Sequence, residues 1–459
     1  MEKSKKLSVD MTQGSPAKII FLFALPLLAG NLLQQLYNMV DSVVVGNFVG
    51  DAALAAVGTG FPVFFLMISL FMGIGLGATV MISQYFGAKD MERVQKTIAT
   101  IYTATIYAAL PLTVIGILVA GPILRLMGVP QDVFPLAKQY VMVIFAGIVA
   151  TLGYNINSGI MRGLGDSKTP LLFLTIACIL NIVLDLLFVI VFHWGVIGVA
   201  LATIIGQFCS WIFGLGYINK KYPELRVDIR KREFDKELFV QALKLGIPSG
   251  LQQALFSIGV MVLQKLINGY ETSFIAGFQG ANKLDTFGFM PVQSFAAAVT
   301  TYVGQNIGAG KMNRVKKGLW TAIAMSCAVN IVVAILFVPL GPICMRMFSQ
   351  DPAVIAAGCA YLDRIMPYYV LFSFMFILNS VIRGAGESIV PMLITLVSLW
   401  LVRVPAAYYL AAHYGRDNIF YCYLIGWIAG LLLTGAYYLS GRWKNKALVK
   451  TPPSEPESL

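Results

Sequence analysis

Apolar residues run along the chain in long blocks, and short polar stretches interrupt them at near-regular intervals. Twelve blocks stand out, over residues 16–48, 52–84, 92–123, 132–163, 169–193, 195–219, 238–268, 272–306, 314–346, 352–383, 389–413 and 417–440. Each reaches the ~20 residues an α-helix needs to cross the hydrocarbon core of a bilayer, and several exceed it, so those helices are expected to tilt or protrude. In lipid, each backbone N–H and C=O must find a partner inside the protein, which makes helices the element for blocks of this length. The expected fold is an all-α polytopic membrane protein with twelve transmembrane helices.

The blocks repeat. SQYFGAKDMERVQK (83–96) resembles GQNIGAGKMNRVKK (304–317), and NSGIMRGLGDSKTP (157–170) resembles LNSVIRGAGESIVP (378–391). Gly87 pairs with Gly308, Arg93 with Arg314, Arg162 with Arg383 and Pro170 with Pro391, always 221 positions apart. Near the start of each half, LLQQL (32–36) also resembles GLQQA (250–254). One offset shared by two separated motifs indicates an internal duplication. Six crossings per half is an even number, so both halves take the same orientation. Two six-helix bundles related by a pseudo-two-fold axis along the membrane normal follow, with a substrate path between them. The divisions are an N-terminal segment (1–15), an N-lobe (16–219), a basic linker (220–237), a C-lobe (238–440) and a tail (441–459).

Composition agrees with this picture. The 459 residues are 58% hydrophobic and only 12% charged, against about a quarter charged in a soluble domain. The net charge of +12 does not point to nucleic acid. Basic residues gather at Lys3, Lys5 and Lys6, at Lys89, Arg93 and Lys96, in the linker, at Lys311 to Lys317 and in GRWKNK, while the alternate loops carry few. By the positive-inside rule both termini and the linker are expected to be cytoplasmic; the expected location is the cell's inner (plasma) membrane, as a multi-pass protein. The linker is expected as a surface helix and the tail TPPSEPESL as disordered. The six cysteines form no CxxC pair, and the two histidines fall at segment ends, so neither a disulfide framework nor a histidine-based zinc site is expected. No GxSxG or P-loop pattern is present, and an enzyme is not expected.

The informative residues are the polar ones inside the blocks. LNIVLDLLFVI (180–190) carries Asn181 and Asp185 one helical turn apart, and YNMVDSVVVG (37–46) carries Asp41 one turn after Tyr37 and Asn38. Counted from the expected outer helix ends, Asp41, Asp185 and Thr203 all lie about 12 Å deep, at 1.5 Å per residue. Shared depth allows one cluster of Asp41, Asn181, Asp185 and Thr203, with Tyr37, Asn38 and Gln34 as neighbours. Two carboxylates in a dry site do not both ionise cheaply; they share protons or bind a cation. With Na+, the carboxylates, the amide oxygen and the hydroxyl are suitable hard ligands; with H+, the acids suffice. The plainer alternative is that each Asp only bonds a neighbouring helix. The second half lacks the cluster, since Asn181 and Asp185 correspond to Val402 and Ala406. It has its own charges at Lys283, Asp285, Asp363, Arg364 and Arg403, for which a structural role weighs at least as much as a functional one. Pro26 sits mid-helix in LFALPLLAGNLL and is expected to kink it.

The stretches LPLLAGNLLQQLYNMVDSVVVG (25–46), QYFGAKDMERV (84–94), MRGLGDSKTP (161–170), NIVLD (181–185), GVIGVALATIIGQ (195–207) and RGAGES (383–388) resemble the multidrug and toxic compound extrusion (MATE) family, along essentially the whole chain. Within the family the chain is similar to the bacterial branch whose N-terminal lobe carries the ion site. That resemblance implies export of cationic drugs driven by inward H+ or Na+, no other cofactor, and an ion site on Asp41, Asn181, Asp185 and Thr203 with Tyr37 nearby. It also implies a bending first helix at Pro26. The expected partners are organic cations and the bilayer, with no nucleic acid and a monomeric protein. The alternative is a flippase or exporter of a lipid-linked or other endogenous metabolite on the same architecture. Another branch of the family uses acids in the seventh and tenth helices; here 245–262 holds none.

Overall fold

A computed structural model describes residues 10–226 and 233–449 of the chain. Lys3, Lys5 and Lys6, the middle of the basic linker and the tail TPPSEPESL lie outside the described residues. Twelve helical rods follow the apolar blocks. They are α1 (Pro16–Phe48), α2 (Asp51–Gly87), α3 (Met91–Leu126) and α4 (Phe134–Ala146, then Ile148–Gly163 after a bend of 54°). Next come α5 (Lys168–Val191), α6 (Gly195–Lys221), α7 (Lys236–Ile267) and α8 (Thr272–Gly308). The last four are α9 (Met312–Phe337), α10 (Pro352–Gly384), α11 (Ile389–Tyr414) and α12 (Tyr421–Leu439). Ten of them are long and apolar enough to cross a membrane alone, and the bent α4 makes an eleventh. The twelfth rod, α8, carries Gln279, Asn282, Lys283 and Asp285 and does not pass on composition. Its second half, from Met290 to Gly308, is largely buried in protein; of the four polar residues, Asn282 and Asp285 are half-buried while Gln279 and Lys283 are exposed.

The linker is not one surface helix among the described residues. Helix α6 runs on to Lys221, a single 3-10 turn follows at Pro223–Leu225, and α7 begins at Lys236.

The chain divides into two compact units whose limits are offset from the two halves. One holds Leu25–Gly250; the other takes Met11–Ala24 together with the chain from Leu251 onward. Helix α1 thus passes from one unit to the other one residue before Pro26, and α7 does so close to Pro248.

In the first unit, α2, α3 and α4 enclose a core around Ala109, Leu124, Val141, Phe145 and Leu152. A smaller core of Val44, Val45, Ala53, Val189, Val196 and Val199 joins α1, α2, α5 and α6. The first part of α7 packs on α2 through two Gly-x-x-x-Gly pairs. A Cβ on Gly73 would meet the Gly246 carbonyl at 2.2 Å, and one on Gly250 would meet the Leu70 Cα at 2.6 Å. Only glycine admits backbones this close. In the second unit, Phe274, Phe278, Tyr361, Tyr369, Phe372, Phe420 and Trp427 form an aromatic core. There the segment before α1 is tied down by side chains of α8 and α9. Gln305 accepts from the Met11 N–H at 3.0 Å, and Arg314 donates to the Met11 and Gly14 carbonyls at 3.2 and 2.9 Å.

The duplicated RGxG[DE]S motifs perform one task twice. Asp166 accepts from the Lys168 and Thr169 N–H groups at 3.1 and 3.0 Å, capping α5, and from Lys221 Nζ at 2.8 Å. Glu387 likewise accepts from the Ile389 N–H at 2.9 Å, starting α11, and pairs with Lys446 at 3.0 Å. Each acid satisfies helix-end donors that have no intrahelical partner.

Candidate functional site

The cluster read from the sequence assembles in the first unit. Tyr37 and Asp41 lie one turn apart on α1, and Asp41 is 9% exposed. Asn181 and Asp185 lie one turn apart on α5, at 2% and 0%. Asp185 is the last residue before α5 widens into the π-helical stretch Leu186–Val191. Such widening is common at functional sites, because it turns side chains out of the α-helical register. Thr203 projects from α6. Its hydroxyl pairs with the Tyr37 hydroxyl at 3.0 Å and accepts from Asn181 Nδ2 at 3.4 Å. Gly206 lets α5 and α6 come together here: a Cβ on it would meet the Ala177 carbonyl at 2.9 Å.

The carboxyl groups of Asp41 and Asp185 are close enough to interact directly, with the Tyr37 hydroxyl beside Asp41. Tyr140, on α4, stands near both acids. The valine-rich core of α1, α2, α5 and α6 covers the site on the side of the α1 C-terminus, with Tyr140 packed against it. Four buried oxygens in the cluster have no hydrogen-bond partner: Asp41 Oδ1, Asn181 Oδ1 and both carboxylate oxygens of Asp185. All four are acceptors. A buried acceptor left unmade costs about 1–3 kcal/mol, and a set containing only acceptors is completed by something positive: a proton, or a small hard cation.

The outer candidates separate. Gln34 lines a cavity next to the cluster. Asn38, adjacent to Tyr37 in sequence, is exposed on the other side of α1 and bonds Gln34 and Gln35, each at 3.4 Å. Asp285 belongs to the second unit. Its nearest polar groups there are the Tyr361 and Tyr369 hydroxyls and Arg403, whose guanidinium lies 3.4 Å from the centre of the Tyr423 ring. Lys283 sits over the Phe348 ring, Asp363 is exposed, and Arg364 donates to the Ala360 carbonyl at 3.0 Å. Pro26 lies inside α1, on the stretch that leads to Asp41. Two polar residues escaped the sequence reading: Tyr140, for which the sequence gives no signal, and Gln207, which follows Thr203 by one turn.

The MatE family model matches the chain twice, over residues 26–187 and 248–409, and so recovers the duplication from two prolines, Pro26 and Pro248. A probable multidrug resistance protein of Bacillus subtilis (strain 168), YpnP, is 31% identical over 436 residues, covering 95% of this chain and 97% of its own. Among solved structures, a multidrug resistance MATE family transporter of the MOP superfamily in its outward-facing conformation is 26% identical. It superposes with a TM-score of 0.85 over 96% of this chain and 98% of its own. A MOP superfamily transporter from Pyrococcus furiosus, for which reverse polarity of the binding pocket suggests a different function, is 25% identical. It superposes with a TM-score of 0.86 over 98% of this chain and 100% of its own. With two family matches covering more than half its length and a relative this similar from end to end, the chain is a membrane transporter rather than an enzyme and belongs to the MatE family.

Proposed function

We propose that the chain is a secondary active antiporter that exports cationic or amphipathic organic compounds in exchange for H+ or Na+. The observation that carries this reading is the pair of buried acids with an amide beside them, four of whose acceptor oxygens have no hydrogen-bond partner. The naming of relatives for multidrug resistance supports drug-like substrates. In the proposed cycle the protein, open to the outside, takes an ion onto Asp41 and Asp185. That neutralises the cluster, shifts α1 about Pro26 and weakens the hold on a cationic substrate. The substrate leaves, the protein opens inward, the ion is released and new substrate binds. Ion and substrate are coupled because each favours a different state, so each lowers the affinity for the other by the same factor. The protein sits in the plasma membrane with both termini cytoplasmic, and Asp41, Asn181, Asp185 and Thr203 hold the ion.

A flippase for an anionic lipid-linked precursor needs cationic side chains presented to its cargo. Two inward cations of the second unit are held by the protein itself instead: Arg403 is stacked against Tyr423 and is 6% exposed, and Arg383 donates to Gln252 at 2.8 Å. Ethidium efflux from membrane vesicles, with pH and Na+ gradients imposed one at a time, tests the reading. Efflux accelerated by one of them supports antiport; efflux indifferent to both defeats it.

A further inference from the structure

The polar groups do not stop at the acids. A cavity of about 30 Å3 adjoins the cluster within the first unit, with Asn181 and Thr203 on one side and Gln34, Tyr154, Cys178 and Gln207 beyond. On this measure a water needs roughly 10–15 Å3, so the cavity has room for one or two waters or a small ion. Its lining advances in one direction on three helices. Gln34 lies one turn before Tyr37 on α1, Cys178 one turn before Asn181 on α5, and Gln207 one turn after Thr203 on the oppositely running α6. Every step leads away from Asp185 and toward the end of the bundle that carries Lys168 and Lys221. The Gln207 Oε1 atom is buried and has no partner. The lining groups beyond the cluster are neutral: an amide on α6, an amide on α1, and the Tyr154 hydroxyl; the fixed charge beyond them is the Arg162 guanidinium, near Tyr154, which keeps a cation from settling deeper.

We infer that this cavity is an inner station on the path of the coupling ion, where a small monovalent cation (Na+ or a hydrated proton) released from Asp41 and Asp185 is received by Gln207 before it leaves toward the cytoplasm. The inference rests on the antiport reading. Its logic is that of permeation: a station must bind well enough to be entered and weakly enough to be left. Two carboxylates together hold a cation strongly and by themselves release it slowly. Neutral oxygens one turn further offer hard ligands without a net charge to trap it. Asn181 Oδ1, unpartnered at the boundary, belongs to both places. Cys178, 4% exposed, reports on whether the cavity is wet.

The test uses full-length protein in proteoliposomes with Gln207→Met, which keeps the length of the side chain and removes its oxygen, and Gln207→Asn, which keeps an amide. Two quantities are read: the concentration of Na+ or H+ that displaces bound ethidium at equilibrium, and the initial rate of gradient-driven ethidium efflux. Gln207→Met is expected to slow efflux at least tenfold while the displacement midpoint moves less than twofold, and Gln207→Asn to recover part of the rate. In protein whose other five cysteines are replaced by alanine, Cys178 is expected to react with a small cationic methanethiosulfonate added on the cytoplasmic side, and the reaction to block efflux. Full-rate efflux by Gln207→Met beside an inactive Asp185→Asn overturns the inner station and leaves antiport standing. A parallel loss of rate and displacement assigns Gln207 to the primary cluster and also overturns it, as does a Cys178 inert to the reagent. Wild-type efflux indifferent to both gradients removes the antiport reading and the station with it.

Discussion

Asp185→Asn is the sharpest perturbation available, because it changes charge and almost nothing else. The side chain is fully buried and its carboxylate oxygens have no partner other than the neighbouring Asp41 carboxyl, so the substitution disturbs that one contact and no other bond. Asparagine is nearly isosteric, and removing a buried charge carries no desolvation penalty. Melting temperature and membrane levels are therefore expected to match the wild type. The effect on the ion is large. At about 4 Å and an effective dielectric near 20, a cation attracts each carboxylate by about 4 kcal/mol, which is about a thousandfold in affinity. Repulsion between the two acids is present with and without the ion, so for a metal cation it cancels from the difference. For protons the arithmetic is simpler, since an amide takes up none. In proteoliposomes loaded with ethidium, an imposed inward Na+ or H+ gradient should accelerate efflux through the wild type and leave the Asp185→Asn protein at the rate of empty vesicles. Gradient-driven efflux within twofold of wild type, at equal protein levels, would refute the reasoning; the acids would then be structural.

Asp166 lies outside the membrane-spanning segments, in the loop before α5. Burial raises its carboxyl, but bonds from Lys221, the Thr169 hydroxyl and the Thr169 N–H outweigh this and hold it below the usual range. Its contribution to stability is therefore present above an ordinary carboxylate pKa of about 4 and is lost as pH falls through its lowered value; Asp166→Asn should flatten the acid limb of a thermal-melt series. Asp166→Ala removes the cap and the ion pair and should lower stability by about 1–2 kcal/mol at neutral pH, read by the same melts. Gly246→Leu forces side-chain atoms into α2, where a Cβ alone would meet the Ile74 Cα at 2.5 Å. It should destabilise by at least the roughly 1–3 kcal/mol of overpacking, whereas Gly216→Leu, with open space around it, should not. Arg314→Ala removes the bond to the Gly14 carbonyl and one of the two to the Met11 carbonyl, which keeps Asn306, and should expose the segment before α1 to limited proteolysis several-fold faster than wild type, while leaving the ethidium displacement midpoint unchanged.

Much of this was written along one dimension of the sequence: depth. The length of each apolar block fixed where a helix begins and ends, and position within it fixed how far a side chain sits from the membrane surface. That was enough to bring Asp41 and Asp185 together and Thr203 into their neighbourhood, although the structure has Thr203 bonded to Tyr37 and Asn181, one turn from the acids rather than level with them. It was also enough to count α8 as a crossing despite its polar residues, because the blocks on either side demanded one. The duplication was legible for a related reason. An offset of 221 positions survives in the loop motifs, where Asp166 and Glu387 must cap the next helix whatever the bundle carries.

Azimuth was not legible. Adjacent residues on a helix point about 100° apart, so Tyr37 turns into the cluster and Asn38 turns out to the exposed face, though their depths differ by only about 1.5 Å. The same gap hid Tyr140 and Gln207, whose directions are set by how α4 and α6 are rotated against α5. Rotation is set by packing, and here small residues decide it. Gly206 allows α6 to close on α5 at Asn181, and Gly73, Gly77, Gly246 and Gly250 allow α7 to lie on α2. A glycine in an apolar block looks like nothing in a hydropathy pattern, yet it selects which face of its helix meets a neighbour and therefore which polar residues meet each other. The acid pair is a product of that selection. Gly206→Leu should accordingly separate Asn181 from Thr203 and lower ion affinity without altering any ligand. A Gly206→Leu protein that keeps the wild-type ethidium displacement midpoint would show that helix rotation at this point does not set the site.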